Sequence, residues 1–415
     1  MSMFKPARYL LQSSIVAISL AWGQPLLAAA FYIDEVGTPV SLGTAGVASP
    51  TNTASADAAW TNPAGMTGQN EDHILTGLMV VVPKVEFDSS VAEAGGSDGG
   101  NAGDVAAIPS FFYTHVVSDK SRVGFSVVAP LGGGIDYGDN FVGRYAIQNV
   151  SLEGLAFTPS FAYKIDDRLS LGVGVSAVYT TLEQDIAING PGPGDGKAKF
   201  EDLDDWGYQG ILGLTYQLAT DTLLGVVYRS EMDVDLDGDL KIRDLAAAVP
   251  TQSVNVSWKN PQTLSVGLKH DLDKQKSLAF KLSWQDWSRF SKNSIGVDPA
   301  GAQVKVDRQW DDTWNIGAAY RQNLDTESLY TLGISYESSP VKDKHRTFDF
   351  PVDEIWKLAS SYVWAGEKNL DYSIGATLYM MGDAKIDQTS QGVRASGEFD
   401  SNLLLFIGGT LRYVF

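Results

Sequence analysis

Cysteine is absent from the 415 residues, so neither a disulfide framework nor a thiolate metal site can form. Histidine is nearly absent: His73, His115, His270 and His345 show no paired metal-ligand spacing. No cofactor or metal is expected. No nucleophile elbow marks a serine hydrolase, although sequence distance alone does not exclude a Ser–His arrangement. Beyond residue 30 no apolar run is long enough for a membrane-spanning helix. Basic residues are scarce, with 31 Lys and Arg against 50 Asp and Glu, a net charge of −19. That balance argues against nucleic acid as a partner.

What is present is apolar and alternating. Hydrophobic residues make up 44% of the chain and aromatics 11%. At the C-terminus one alternate set is Leu403, Leu405, Ile407, Gly409, Leu411, Tyr413 and Phe415. The other, Leu404, Phe406, Gly408, Thr410, Arg412 and Val414, mixes small, polar and charged groups. A strand puts these sets on opposite faces. A terminal Phe after such a strand is the signature of a bacterial outer-membrane barrel. The same alternation runs through 169–180, 330–337 and 370–377.

The N-terminus agrees. Lys5 and Arg8 form a basic region, Leu10 to Leu27 is largely apolar, and Ala28-Ala29-Ala30 offers a cleavage site. Residues 1–30 read as a secretory signal peptide. Its removal leaves 29 basic against 50 acidic residues, a charge of −21. Acidic loops and a polar lumen account for that charge; divalent cations bridging acidic loops to lipopolysaccharide account for it equally.

Six short polar turns occur at 118–121, 166–168, 219–222, 271–276, 324–328 and 365–369. Seven longer loops are expected near 86–106, 132–146, 188–204, 237–252, 292–303, 340–349 and 383–398. Thirteen connections imply fourteen strands, alternating short and long as in outer-membrane barrels. The expected fold is an all-β membrane protein, a 14-stranded antiparallel transmembrane β-barrel over 72–415. Trp206, Tyr208, Trp284, Trp287, Trp310, Trp314, Trp356 and Trp364 fall near strand ends, where interface girdles are expected. Residues 31–71 are rich in small residues and do not alternate; they need something to pack against.

Several motifs have two readings. Gly172-Val173-Gly174 mimics a dinucleotide fingerprint, but β alternation runs straight through it. Asp233, Asp235, Asp237, Gly238 and Asp244 mimic a Ca²⁺ loop, or continue a polar lumen face that includes Arg229 and Glu231. Arg229 and Glu231 could contact a ligand head group or pair with each other. Leu240, Ile242, Leu245, Ala246 and Val249 are spaced for a short amphipathic helix, with apolar groups available for a ligand groove.

These residues resemble the FadL-like outer-membrane transporters of long-chain fatty acids and other hydrophobic compounds. Phe31 to Met66, with Gly43, Gly46, Asp57 and Asn62-Pro63-Ala64, looks like that family's N-terminal segment. Tyr228-Arg229-Ser230-Glu231, Trp284-Gln285-Asp286-Trp287, Asp312-Thr313-Trp314 and Gly382-Asp383-Ala384 are similar to it as well. The resemblance implies that residues 31–71 form a hatch plugging the lumen. It implies passive, ligand-gated diffusion, with capture between the loops at 188–204 and 237–252 and lateral exit into the membrane through a kink in the third strand. On that basis Asn62, Pro63 and Ala64 are expected in the hatch. Gly132, Gly133 and Gly134, at the end of the third strand, are expected at the exit or as a plain loop entrance. Arg229, Glu231, Leu240 and Leu245 are expected at the ligand, a long-chain fatty acid or other hydrophobic small molecule. Outer-membrane lipid and lipopolysaccharide are the expected surroundings. A general porin for polar solutes, an outer-membrane lipid hydrolase and a purely structural barrel are the alternatives.

Overall fold

The computed structural model describes residues 31–33, 35–190, 194–245, 248–298 and 302–415. The expected signal peptide lies outside the described residues. A two-residue strand, β1 (Phe31–Tyr32), precedes the barrel. Six staves follow: β2 (His73–Ala92), β3 (Ala106–Val116), β4 (Ser121–Asp136), β5 (Asn149–Lys164), β6 (Leu169–Ile188) and β7 (Gly196–Ala219). The next four each join two strands end to end. They are β8 (Thr222–Arg229) with β9 (Met232–Arg243), β10 (Gln252–Asn260) with β11 (Thr263–Asp271), β12 (Lys276–Gln285) with β13 (Lys292–Asp298), and β14 (Ala302–Asp307) with β15 (Thr313–Asn323). Then come β16 (Ser328–Glu337), β17 (Ile355–Ala365), β18 (Leu370–Met380) and, after the short β19 (Ile386–Ser390), β20 (Val393–Val414). This makes the fourteen staves that the turn–loop rhythm predicts. β2 pairs antiparallel with β20, from His73 opposite Val414 to Ala92 opposite Ala395. The first and last staves thus meet, and closure leaves no long open edge in lipid.

The short turns fall where expected and the long connections fall in the expected regions, but most of them are shorter than expected. β7 begins at Gly196, β9 runs to Arg243 and β13 occupies Lys292–Asp298. The barrel therefore extends well past the lipid band. Within 237–252 no helix forms among the described residues; Leu240 and Ile242 are buried while Lys241 and Arg243 are not. That is a period of two, imposed by pairing of β9 with β7 and β10.

The two halves of the barrel are faced in opposite ways. In the turn-end half, Leu171, Val173, Val175, Leu212, Phe280, Leu282, Ile316 and Ile374 point outward and are exposed. Small and polar residues such as Ser170, Ser176, Thr215 and Ser283 point inward. In the loop-end half the order reverses: Met232, Val234, Leu236, Val254, Val256 and Trp258 are buried inside. A slip of one position exchanges the two faces of a strand. The breaks at 230–231, 261–262 and 308–312 supply that slip in three staves, and the positive-φ residue Asp202 (φ 56°) does so in β7. Across 286–291 the inward positions stay odd-numbered and only their composition changes, from Ser and Lys to Ile295 and Val297. Outside, the change is from lipid to water; inside, it is from a polar wall to a dry one.

Trp206, Tyr208, Trp314, Trp356 and Trp364 are exposed on the outer surface, as a girdle requires. Trp287 and Trp310 are not part of it. They are buried with Phe290 and Phe350, with Phe290 stacked on Trp310 at 4.9 Å and Trp310 beside Phe350 at 4.5 Å. Both lie within the breaks of their staves, 286–291 and 308–312, where the chain leaves the ladder and their rings turn inward.

Candidate functional site

The N-terminal segment lies against the inward face of staves all around the barrel. Its short helix Ala58–Thr61 and the 3₁₀ turns Leu42–Thr44, Ser49–Thr51 and Pro63–Gly68 are almost wholly buried. Asp57 knits it together, accepting from Thr38 Oγ1 and, at 2.7 Å, from Asn52 Nδ2. The side chains of Thr331 and Thr377 donate to the carbonyls of Gly43 and Leu42.

Asn62 joins this segment to the wall. Its Nδ2 donates to Pro50 O at 2.6 Å and to Leu214 O of β7 at 3.2 Å, and its Oδ1 accepts from Ala64 N at 3.2 Å. Pro63 opens the following 3₁₀ turn, where its missing N–H costs nothing and its fixed φ helps. The wall makes room with glycine. A Cβ on Gly172 would overlap the backbone of Pro63 and Ala64, one on Gly213 would overlap Asn62 Oδ1, and one on Gly225 would overlap the Pro50 carbonyl. Gly172, which mimicked a nucleotide fingerprint, is thus a close-approach position. An inward-facing Gly in the turn-end half of consecutive staves is the sequence signal that identifies such contacts.

Arg229, at the end of β8, is buried and points at the segment. It donates to Trp60 O and its guanidinium lies 4.1 Å from the Trp60 ring centroid. The cavity beside it, lined by Trp60, Thr61, Thr263, Ser265 and Lys281, holds about 40 Å³, room for a water but not a head group. Glu231 does not pair with it. Glu231 and Asp233 both bind Lys259, at 2.8 and 2.7 Å. The expected continuous polar lumen face is corrected by the break at 230–231, which turns Asp233, Asp235 and Asp237 outward. Asn255 Nδ2 bridges Asp235 and Asp237 at 2.8 and 2.9 Å. The Ca²⁺-loop reading is corrected on the same ground: these carboxylates lie along a strand, Asp235 and Asp237 share Asn255, and no three acidic or histidine side chains group as metal ligands among the described residues.

Above the segment the lumen is apolar. Leu240 is buried there and Leu245 packs against the same core. Tyr137, Phe141, Phe348, Phe87 and Phe399 form a second aromatic group, with Tyr137 stacked on Phe141 at 4.1 Å. The neighbouring loops are locked to one another. Arg144 Nε and Tyr145 Oη each bind Asp195 at 2.6 Å. Burial by itself would raise the Asp195 carboxyl, but the bonds from Tyr145 and Arg144 and the guanidinium charge outweigh it and hold it below the ordinary carboxylate range.

One place in the wall is not closed by its neighbours. β3 pairs with β4 only from Phe111 opposite Val127 to Val116 opposite Arg122. Above that point β3 continues against β2 alone, up to Ala106. β4 continues against β5, with a register shift between Val128 and Leu131. Two prolines, Pro109 and Pro130, flank this window, and neither can donate to a ladder. The start of the N-terminal segment lies along the β4 side of it: Phe31 pairs with Gly132 and Tyr32 with Leu131, and Ile33 N donates to Pro130 O at 2.9 Å. Gly132, Gly133 and Gly134 do not break the strand; they pair regularly with Glu153, Leu152 and Ser151. The expected kink at these glycines is therefore displaced to the bulge at Val128–Leu131, and the loop-entrance alternative is corrected. At the turn end the lumen opens into a vestibule. Two overlapping cavities of about 660 and 760 Å³ share Pro39, Val40, Ala54, Lys274, Arg321 and Asn323.

A closed fourteen-stave barrel with an aromatic girdle, an occupied lumen and an apolar upper chamber defines an outer-membrane transport protein. Residues 19–415 match the family described as outer membrane protein transport protein (OMPP1/FadL/TodX), and the chain belongs to that family. The long-chain fatty acid transport protein of Escherichia coli is 22% identical over 85% of this chain and 87% of its own length. Outer membrane protein P1 of Haemophilus influenzae is 21% identical over 87% and 84%. Among solved structures, a Pseudomonas aeruginosa FadL homologue superposes with a TM-score of 0.84 at 17% identity, covering 93% of this chain and 99% of that one. The Pseudomonas putida toluene transporter TodX superposes at 0.71 and 17%, covering 92% and 99%. The protein is a multi-pass component of the bacterial outer membrane that transports hydrophobic compounds.

Proposed function

We propose that this chain imports long-chain fatty acids or similar hydrophobic small molecules by passive, ligand-gated diffusion and releases them sideways into the membrane. The break between β3 and β4 carries this reading. An alkyl chain passed through water would lose about 0.8 kcal/mol per CH₂; a side opening keeps it in apolar surroundings. Residues 31–71 act as the hatch within the barrel of 72–415, with Asn62, Pro63 and Ala64 holding it to β6 and β7. Leu240 and Leu245 lie on the capture route, and the dry upper chamber leads from it to the window. The bulge beside Gly132–Gly134 forms one lip of the exit. Arg229 meets ligand only after the hatch moves, because it is engaged with Trp60; Glu231, paired with Lys259 on the same side as Asp233, stays outside that route. The chain works without catalysis, set in outer-membrane lipid and lipopolysaccharide. A porin would require an open water path, which the packed segment does not favour.

The test uses the absence of natural cysteine. In a Phe31→Cys, Gly132→Cys protein the two thiols face each other across one ladder pair, the separation a disulfide spans. Oxidation is expected to stop uptake of a radiolabelled fatty acid by whole cells, and reduction to restore it. Uptake that continues in the oxidised, surface-expressed protein would overturn lateral exit.

A further inference from the structure

A group of buried charges lies just beyond the strap, residues 31–33, that pairs with β4 at the edge of the window. Glu35 follows Ile33 by two residues and its side chain is fully buried. It accepts a hydrogen bond from Tyr379 Oη of β18. Lys357 of β17 stands 3.9 Å from its other oxygen and 3.5 Å from Glu337 of β16, with its ammonium 4.4 Å over the Tyr379 ring. Lys357 is only 3% exposed and Glu337 11%. Phe406 packs on Tyr379 at 4.8 Å, and Val36, Ile355 and Met381, next to Glu35, Lys357 and Tyr379 along their own segments, are buried.

Two carboxylates thus share one ammonium in an apolar wall. Burying such charges is expensive, and an apolar replacement of similar volume would hold the strap as well or better. The two carboxylates also differ in attachment. Glu337 is fixed in β16, which is part of the barrel. Glu35 is on the segment whose other end, Phe31 and Tyr32, pairs with β4 at the edge of the window. An acid ligand entering a dry lumen needs a cation and a donor. Lys357 and Tyr379 offer both, and Glu35 occupies them.

Resting on the transport reading above, we propose that Lys357 and Tyr379 form a carboxylate receptor which Glu35 fills from within the chain. An amphiphilic monocarboxylate displaces Glu35 and so releases the strap; a neutral ligand of the same length has nothing to exchange. Displacement of like by like leaves the buried charge nearly constant, so the exchange avoids a second desolvation. The ligand and Glu35 are then coupled reciprocally: what weakens one strengthens the other.

The experiment compares a saturated fatty acid with the alcohol of equal chain length, by calorimetry, on wild-type protein and on Glu35→Gln and Glu35→Gln/Lys357→Met. Heat-modifiable electrophoretic mobility reports that each barrel is folded. Glu35→Gln is nearly isosteric and is expected to tighten the acid about tenfold, the scale of one charge-assisted bond, while the alcohol is unmoved. The double variant is expected to lose the preference for acid over alcohol. In wild-type protein the acid, not the alcohol, is expected to speed amide exchange at Ile33–Val36. Equal shifts for acid and alcohol would reduce the cluster to a structural tether and overturn the proposal, and Glu35→Gln decides this even where the double variant does not fold. Wild-type protein that binds neither ligand would overturn the transport reading itself, a distinguishable failure.

Discussion

Asn62→Ala should loosen the N-terminal segment without harming the barrel. Asn62 is fully buried and makes three hydrogen bonds, to Pro50 O, to Leu214 O and from Ala64 N. Each contributes about 1 kcal/mol net, so their loss weakens local closure by about 3 kcal/mol. A change of that size is about a hundredfold in the opening equilibrium. The barrel ladder keeps its backbone bonds, because only a side chain is removed. Amide hydrogen exchange in lipid nanodiscs reads this directly. Protection over residues 50–68 should fall about a hundredfold while β6 and β7 stay as they were. Unchanged protection over 50–68 would refute the role of Asn62 as the tie. Equal loss in the strands would show that the segment and the wall open as one unit, which also contradicts the account.

Four further outcomes are expected. Gly225→Val drives a side chain into the Pro50 carbonyl and should raise the planar-bilayer conductance of a protein that still migrates as a folded barrel; silence there would mean the segment yields without opening a path. Asp195→Asn removes the charge that Arg144 and Tyr145 bind and should weaken the lock at neutral pH, seen as faster exchange at Arg144–Gln148. In the wild type the same lock should be complete above the ordinary carboxylate range and weaken as pH falls through the depressed value of Asp195; loss on raising pH would reverse the sign. Reduction of the Phe31–Gly132 cross-link should restore uptake with no change in expression.

The barrel was legible because lipid imposes a period of two from outside. Phe415, Tyr413, Leu411 and Ile407 face outward, and the turns at Asp166 and Asp273 are self-announcing, since each side chain caps the turn that follows. The upper lumen was not legible. Beyond the lipid the same alternation continues with its faces exchanged, so Asp233, Asp235 and Asp237 read as lumen groups although they face water. Leu240 and Ile242 read as part of a helix because, taken with Leu245, Ala246 and Val249, their spacing also fits a helical face, whereas pairing with β7 and β10 imposes the period of two. The glycines at 132–134 drew the eye, but Pro130 marks the irregularity more faithfully, since it cannot join the ladder. Arg229 was correctly placed inside, yet its partner, Trp60, is 169 positions away. Glu35 and Lys357 could not be found at all: their meeting depends on how the segment threads the barrel, and neither stands in a motif.

The central claim is that ligand leaves through the wall between β3 and β4. A fatty acid carrying a photoreactive diazirine near its methyl end tests it most directly, with adducts mapped by mass spectrometry after irradiation of cells during uptake. The account predicts adducts at Ile108, Pro109, Pro130 and Leu131, lost when the Phe31–Gly132 cross-link is oxidised. Adducts concentrated at Lys274, Gln275, Arg321 and Asn323 of the vestibule would contradict it and place the exit at the periplasmic mouth.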